Sequence, residues 1–206
     1  MYSLNNLDEK LHSKHLKHRN GFYVEVGAYD GVDQSNTLFF EKKLGWTGLL
    51  IEPIPSYFNK CKKNRPGNAV ENCALSDSDG EITLLDAGLM TVAPDSVTHH
   101  GSGISHANRY VNRFAKNHKV KEVKVKCCRL QTLFDKYKIS KVDLFSLDVE
   151  GYEYKVLKGI NFSKTKIDYI LLECNVESNL NKISSLLSGY KMIEKLSNHD
   201  YLFKVK

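Results

Sequence analysis

Acidic side chains recur in this chain just inside or just after short apolar runs. Glu25 lies within Phe22-Tyr23-Val24-Glu25-Val26, which runs into Gly27-Ala28-Tyr29-Asp30-Gly31. Glu52 ends the run Gly48-Leu49-Leu50-Ile51, and Pro53 follows it. Asp148 and Glu150 follow Val142-Asp143-Leu144-Phe145-Ser146-Leu147, and Glu173 with Asn175 follow residues 167–172. Carboxylates so placed suit three kinds of chemistry. They accept hydrogen bonds from ribose hydroxyls, they take a proton from a reacting hydroxyl, or they ligate a hard cation through oxygen. The glycine turn adds free backbone N–H groups at a helix start, a cradle for a bound anionic group. Its glycines permit close backbone approach and positive φ.

The elements that must position these groups read as alternating strands and helices. Residues 22–26 form a buried strand, and a helix begins near Gln34 or Ser35 and ends near Leu44-Gly45. A second strand over 48–51 precedes a short helix of about 56–63 and a Pro66-Gly67-Asn68 turn. Residues 69–74 read as a third strand, and 81–85 as an alternating one. Regular alternation resumes with a lysine-flanked strand over 123–127, a helix over 130–137 and a buried strand over 142–147. A helix of about 152–158 closes at Gly159. A strand over 167–172, a helix over 179–188 and a closing antiparallel pair, 190–196 and 201–205, complete the order. Such an order predicts an α/β fold with a mainly parallel sheet and an antiparallel end, its functional groups gathered at the carboxyl ends of the parallel strands.

Two stretches break the pattern. Residues 86–108 hold Gly88, Pro94, Gly101 and Gly103 with His99, His100 and His106, and a connection of that length is usually functional. Residues 109–119 read as a helix. From Arg109 to Arg129 eight basic residues, Lys116 among them, face one acid, Glu122, which reads as a solvated face or a surface for an anionic substrate. Residues 1–20 read as a solvated leading helix in which His12, His15 and His18 share a face, with a metal site as the alternative.

The 206 residues, 41% hydrophobic and 26% charged, describe an ordinary globular domain. No apolar run approaches the ~20 residues of a membrane span, and residues 1–20 lack a signal-peptide core. Five irregularly spaced cysteines, with no CxxC, read as reduced, mostly buried thiols in a cytoplasmic protein. The net charge of +6 permits an anionic partner without demanding one. Trp46, between Gly45 and the second strand, reads as core packing.

The turn is neither GxGxxG nor GxxxxGK[ST], and Asp30 within it would repel a pyrophosphate. S-adenosyl-L-methionine fits better, since it carries a sulfonium, an ammonium and a single carboxylate. Glu25 and Asp30 would meet its cationic end, Gly27 and Gly31 would allow close approach, and the helix start around Asn36 would take its carboxylate. Glu52, with Pro53 beside it, would accept the ribose hydroxyls. Ala74 and Leu75 would flank adenine, and Asp148 and Glu150 would contact cofactor or acceptor. Glu25 has an equal claim to a structural role in the turn, Asp30 could be a turn residue alone, and Glu150 could simply favour a helix start.

Three blocks resemble the FkbM family of S-adenosylmethionine-dependent methyltransferases. They are residues 22–31 with Ser35-Asn36-Thr37 and Phe40-Glu41, residues 45–53, and residues 142–153 with Val156-Leu157-Lys158-Gly159. The resemblance implies a Rossmann-like three-layer sandwich around a seven-stranded sheet whose last strand is antiparallel. It implies methylation, often of a hydroxyl on a sugar or secondary metabolite. A hydroxyl acceptor needs a base or a metal. Asp148 and Glu173 are the carboxylate candidates, and His99, His100 or, first among them, His106 the imidazole ones. Asp148, Glu173 and Asn175 could alternatively hold a divalent cation such as Mg2+. The whole chain is read as one methyltransferase domain, with residues 86–120 as an insert over the acceptor site. A nucleic-acid methyltransferase, suggested by the basic segment, and a non-catalytic module that kept the fold are the competing readings. Nucleic acid is the weaker partner, because the basic segment lacks interleaved stacking aromatics. A small polar or carbohydrate acceptor is the stronger one.

Overall fold

The computed structural model describes residues 2–114 and 119–206. Its elements, in chain order, are α1 (Leu7–Lys14), β1 (Phe22–Val26), α2 (Leu38–Leu44), β2 (Thr47–Ile51), α3 (Pro55–Asn64) and β3 (Ala69–Glu71). There follow β4 (Ala74–Leu75), β5 (Gly80–Asp86), β6 (Val97–Thr98), β7 (Gly101–Ser102), α4 (Gly103–Phe114) and β8 (Lys121–Cys128). The chain closes with α5 (Leu130–Tyr137), β9 (Lys141–Leu147), α6 (Glu153–Lys158), β10 (Lys166–Glu173), α7 (Glu177–Leu186), β11 (Tyr190–Lys195) and β12 (Asp200–Val205).

Seven strands form the main sheet in the order β11-β12-β10-β9-β1-β2-β3. β1 runs parallel to β2 and β9, and β10 runs parallel to β9. β12 lies antiparallel between β10 and β11. The α/β, Rossmann-like architecture with its antiparallel C-terminal strand is the one expected. From β1 the chain builds outward through β2 and β3, then returns to build the other half from β9. The switch point therefore lies between β1 and β9, where ligands of open α/β sheets bind.

The inner strands are apolar on both faces because both faces are covered. Val24, Leu49, Ile51, Phe145 and Leu147 pack under α5, α6 and α7 through Leu130, Phe134, Val156, Leu157 and Ile183. Tyr23, Leu50, Leu144 and Leu171 pack on the other side against Leu7, Leu11, Phe40, Leu44, Trp46 and Cys61. Trp46 is core, as expected, and its Nε1 donates to the carbonyl of His18 at 2.9 Å.

Several expectations need correction. The leading helix is short and docked rather than solvated: Leu7, Leu11 and Leu16 are buried. Full burial of a leucine contributes ~1.5–3 kcal/mol, enough to fix the segment. Its histidines diverge to separate partners. His12 Nδ1 lies 3.1 Å from the Leu16 carbonyl, His15 Nε2 2.9 Å from Glu194 Oε2, and the His18 ring 4.7 Å from Trp46. They form no joint metal site.

The expected third strand divides. Ala69–Glu71 extends the main sheet, whereas Ala74–Leu75 pairs with β8 in a small sheet ordered β4-β8-β5. Asn72 Nδ2 donates to the carbonyls of Glu52 and Pro53, both at 2.9 Å, and anchors the crossing between them. The 86–108 stretch contains a small hairpin, β6 with β7, and the start of α4 at Gly103, six residues before the helix expected from 109. The remainder of that expected helix, residues 115–118 with Lys116, lies outside the described residues. On β8, Val125 and Cys127 turn inward and Lys121, Lys124 and Lys126 are exposed, the solvated-face alternative for the basic segment. Among the described residues no helix is long and apolar enough to cross a membrane.

Candidate active site

The cleft opens at the carboxyl ends of β1, β2 and β9. β1 hands over to Gly27, whose N–H and that of Ala28 both donate to the Ile51 carbonyl, at 3.2 and 3.1 Å. Gly27 has φ 81°, and a Cβ there would stand 2.1 Å from the carbonyl oxygen of Asp148. Only glycine lets the turns after β1 and β9 approach this closely.

Glu25 works behind the turn. Its carboxylate accepts Ser35 Oγ at 2.9 Å, the Asn36 N–H at 2.8 Å and Thr37 Oγ1 at 2.5 Å. These bonds hold residues 35–37 out of the helix, so α2 begins at Leu38 rather than at 34 or 35. A buried carboxylate takes whatever donors reach it. Glu25 also lines the cleft, and these donors make it a strut of the turn, one of the two roles expected for it.

Asp30 and Gly31 do not line the cleft. Asp30 Oδ1 accepts the N–H groups of Val32 and Asp33, at 2.9 and 2.8 Å, and is a turn residue. Gly31, φ 78°, makes room instead for Arg65 and Cys61. Arg65 was not legible as a site residue, since it merely precedes a Pro-Gly turn. It is wholly buried and donates to the Gly31 carbonyl, Tyr23 Oη and Glu41.

Glu52 ends β2 inside the cleft. Its Oε2 accepts the Tyr29 N–H at 2.9 Å and its Oε1 the Ile54 N–H at 2.8 Å. Only 4% of the residue is exposed. Burial pushes its carboxyl up to about 8 despite these two donors. Each oxygen keeps a lone pair for a further hydrogen bond. Pro53, Ala74, Leu75 and Asn36 also line the cleft. Leu89, Met90, Thr91 and Ala93 supply a side of the cleft that sequence reasoning missed, because their stretch has no periodicity. The cavity at the heart of the cleft measures about 150 Å³.

Three carboxylates meet at the β9 and β10 tips. One oxygen each from Asp148, Glu150 and Glu173 lies within 4.8 Å of the others. Glu150 reaches this position through a left-handed backbone, φ 53°, followed by Gly151 at φ 89°. Glu153 Oε1 stabilises that turn by accepting the N–H groups of Val149 and Gly151, at 3.2 and 3.0 Å. Burial and then the neighbouring Glu173 raise the Asp148 carboxyl well above its ordinary range. Burial likewise raises Glu150, against the pull of His106.

Two assignments change here. Asn175 does not line the cleft; its Nδ2 donates to Glu173 Oε1 at 3.1 Å, so a donor rather than a ligand oxygen meets the carboxylate. Glu150 is the third carboxylate beside Asp148 and Glu173, and Asn175 Oδ1 is buried with no hydrogen-bond partner. His106 does not line the cleft either. It is buried on α4 with Nε2 3.1 Å from Glu150 Oε2, so it supports Glu150 rather than meeting an acceptor.

A glycine turn after β1, an acid at the tip of β2, and a mainly parallel sheet with an antiparallel last strand define a Rossmann-like α/β protein with a cleft at its strand tips. More narrowly, the family model for the methyltransferase FkbM domain matches residues 25–203, and the chain belongs to that family. It is 21% identical over 151 residues to the hexuronic acid methyltransferase AglP of Haloferax volcanii, covering 71% of this chain and 55% of that protein. It resembles the crystal structure of methyltransferase FkbM from Methylobacillus flagellatus KT with a TM-score of 0.55 and 12% identity, over 91% of this chain and 44% of that one. The chain thus spans about half the length of these two relatives.

Proposed function

We propose that this chain transfers the methyl group of S-adenosyl-L-methionine to a hydroxyl oxygen of a sugar or other small polar metabolite. The observation that carries the reading is the pairing of Asp148 with Glu173 at the switch point, beside Gly27. A carboxyl raised in pKa by burial and by a like neighbour is a stronger base than a solvated one. Asp148 takes the hydroxyl proton as the oxygen attacks the methyl carbon. The carbon–sulfur bond breaks, and its electron pair stays on the sulfur of the departing S-adenosylhomocysteine. The sulfonium is already a good leaving group, so alignment and exclusion of water do most of the work.

In this reading Glu52 accepts the ribose hydroxyls, Pro53, Ala74 and Leu75 flank the adenine, and Gly27 and Asn36 meet the methionine end. Residues 1–206 act as one unit, and residues 86–120 cover the acceptor. The sugar class is supported by the likeness to a hexuronic acid methyltransferase, and a cytoplasmic setting by the five free thiols. A nucleic-acid acceptor has less support, because the lysines of β8 line no part of the cleft.

One observation favours a second reading of the chemistry. The oxygens of Asp148, Glu150 and Glu173 stand close enough together to hold a hard cation such as Mg2+, which would acidify the hydroxyl in place of a base.

The test is incubation with isotopically labelled S-adenosylmethionine and a panel of sugars, hexuronic acids included, read by mass spectrometry, with and without chelator. Methylated sugar formed equally in chelator supports the base, and loss of product in chelator supports the cation. The cofactor at 100 times its Kd should also stabilise the fold by ~2.7 kcal/mol. No stabilisation and no labelled product would leave a non-catalytic module.

A further inference from the structure

We infer that His99, His100 and His106 form a binding site for a borderline transition-metal ion, Zn2+ foremost, separate from the carboxylates of the cleft. One ring nitrogen from each of the three lies within 4.8 Å of the others. His99 and His100 occupy the two-residue turn between β6 and β7, and His106 sits on the first turns of α4. The turn is braced to present them: His100 N–H donates to Thr98 Oγ1, and Thr98 Oγ1 donates to the Gly101 carbonyl, both at 3.1 Å.

His106 supplies the second, independent observation. It is only 5% exposed, and both its ring nitrogens are buried with no hydrogen bond of good geometry. A buried polar nitrogen left unpaired is costly, so its persistence calls for a ligand. Nε2 stands 3.1 Å from Glu150 Oε2. A carboxylate this close to one imidazole nitrogen is the outer-shell partner that metal-bound histidines use, and it leaves the other nitrogen for an ion. The His99 ring centroid lies 5.9 Å from that of His106, and the His100 centroid 5.6 Å.

The donor set decides the ion. Three neutral imidazoles suit Zn2+, Co2+, Ni2+ or Cu2+ and disfavour Mg2+ or Ca2+, which take oxygen ligands. Three histidines also leave a fourth position for water or a ligand atom, as in open zinc sites. The ion would tie the β6–β7 hairpin to α4 and, through His106, set the position of Glu150 in the cleft. The inference goes beyond the methyl-transfer reading and does not depend on it.

The experiment is titration of chelator-stripped, dialysed protein with Co2+ and then Zn2+. The readouts are metal stoichiometry, the visible d–d bands of cobalt and thermal stability. We expect one equivalent of Co2+, with the intense bands of four-coordinate cobalt, displaced by Zn2+. Because His99 is exposed and His100 half-buried, the pair His99→Ala/His100→Ala leaves the core intact. It should bind at least about 100-fold more weakly, and Glu150→Gln ~10–100-fold more weakly. Asp148→Asn should keep the site, which separates it from the cleft carboxylates. Absence of saturation at one equivalent, cobalt bands unchanged in the double histidine variant, or equal loss in Asp148→Asn would each overturn the proposal. Cofactor binding, measured by calorimetry on the same sample, fails or succeeds separately.

Discussion

Arg65 Nη1 stands 3.7 Å from Glu25 Oε2, with both side chains nearly closed to solvent. The same Nη1 donates to the Gly31 carbonyl at 2.8 Å and so ties the contact to the glycine turn. Arg65 also pairs with Glu41, and Tyr23 Oη receives its Nη2 at 2.6 Å. Burial works against the guanidinium charge, but Glu25, Tyr23 and Glu41 together raise its pKa.

Removing that cation should unfold the turn's support. Arg65→Met leaves buried Glu25 without its cation and Glu41 with Lys42 alone, a loss of ~3–5 kcal/mol by the behaviour of broken buried pairs. Urea denaturation measures it. A loss below ~1 kcal/mol would mean that Glu25 is held by its hydroxyl and N–H donors alone.

Gly27→Ala should damage both stability and cofactor binding. A left-handed backbone alone makes alanine unfavourable by about 1 kcal/mol. The new Cβ would also meet the Asp148 carbonyl at 2.1 Å, so the β1 and β9 turns must separate. We expect a lower melting temperature and a weaker Kd for S-adenosylmethionine. An unaltered Kd would show that the cofactor does not lie across this junction.

Glu52 makes two pH-dependent predictions. Its carboxyl rises from an ordinary 4.5 to about 8 in the fold. The unfolded chain therefore releases this proton near 4.5 while the folded chain keeps it, and stability contributed by Glu52 falls as pH rises towards 8. Cofactor affinity should move the opposite way. Ribose hydroxyls donate to the ionised form, so binding expels the proton and Kd tightens from pH 6 to 8, by at most about tenfold per unit. Glu52→Gln should flatten both slopes, and Glu52→Ala should weaken binding throughout. Calorimetry across pH checks both; a flat wild-type Kd would remove Glu52 from the ribose.

Asp148→Asn should lower turnover by ~10²–10⁴-fold, the usual share of a general base, and change cofactor Kd far less. Rates and Kd from the same preparation decide it. Equal losses in both would make Asp148 a cofactor ligand only.

The strands that carry the site were legible because their signals are local. Phe22 to Val26, Gly48 to Ile51 and Val142 to Leu147 are apolar runs that end in acids or glycine, and the polar tips of parallel strands must share one edge of the sheet. Glu52, Pro53, Ala74, Leu75, Asp148 and Glu173 line the cleft accordingly. The divided third strand was not legible, because the pairing of Ala74–Leu75 with β8 depends on residues some fifty positions away. His106 and Asn175 carried the right chemistry for a cleft role, yet each meets a carboxylate from outside the cleft.

Residue order alone therefore determined the alternating α/β topology, the glycine turn and the ring of acids at the strand tips, since these follow from periodicity and composition within each segment. Tertiary structure decided which acid serves which purpose. Glu25 became a strut because Ser35, Asn36, Thr37 and Arg65 surround it, and Glu150 joined Asp148 and Glu173 because a left-handed turn and His106 bring it there. A carboxylate's role depends on burial and on the donors within reach, and those are set by contacts between segments far apart in the chain.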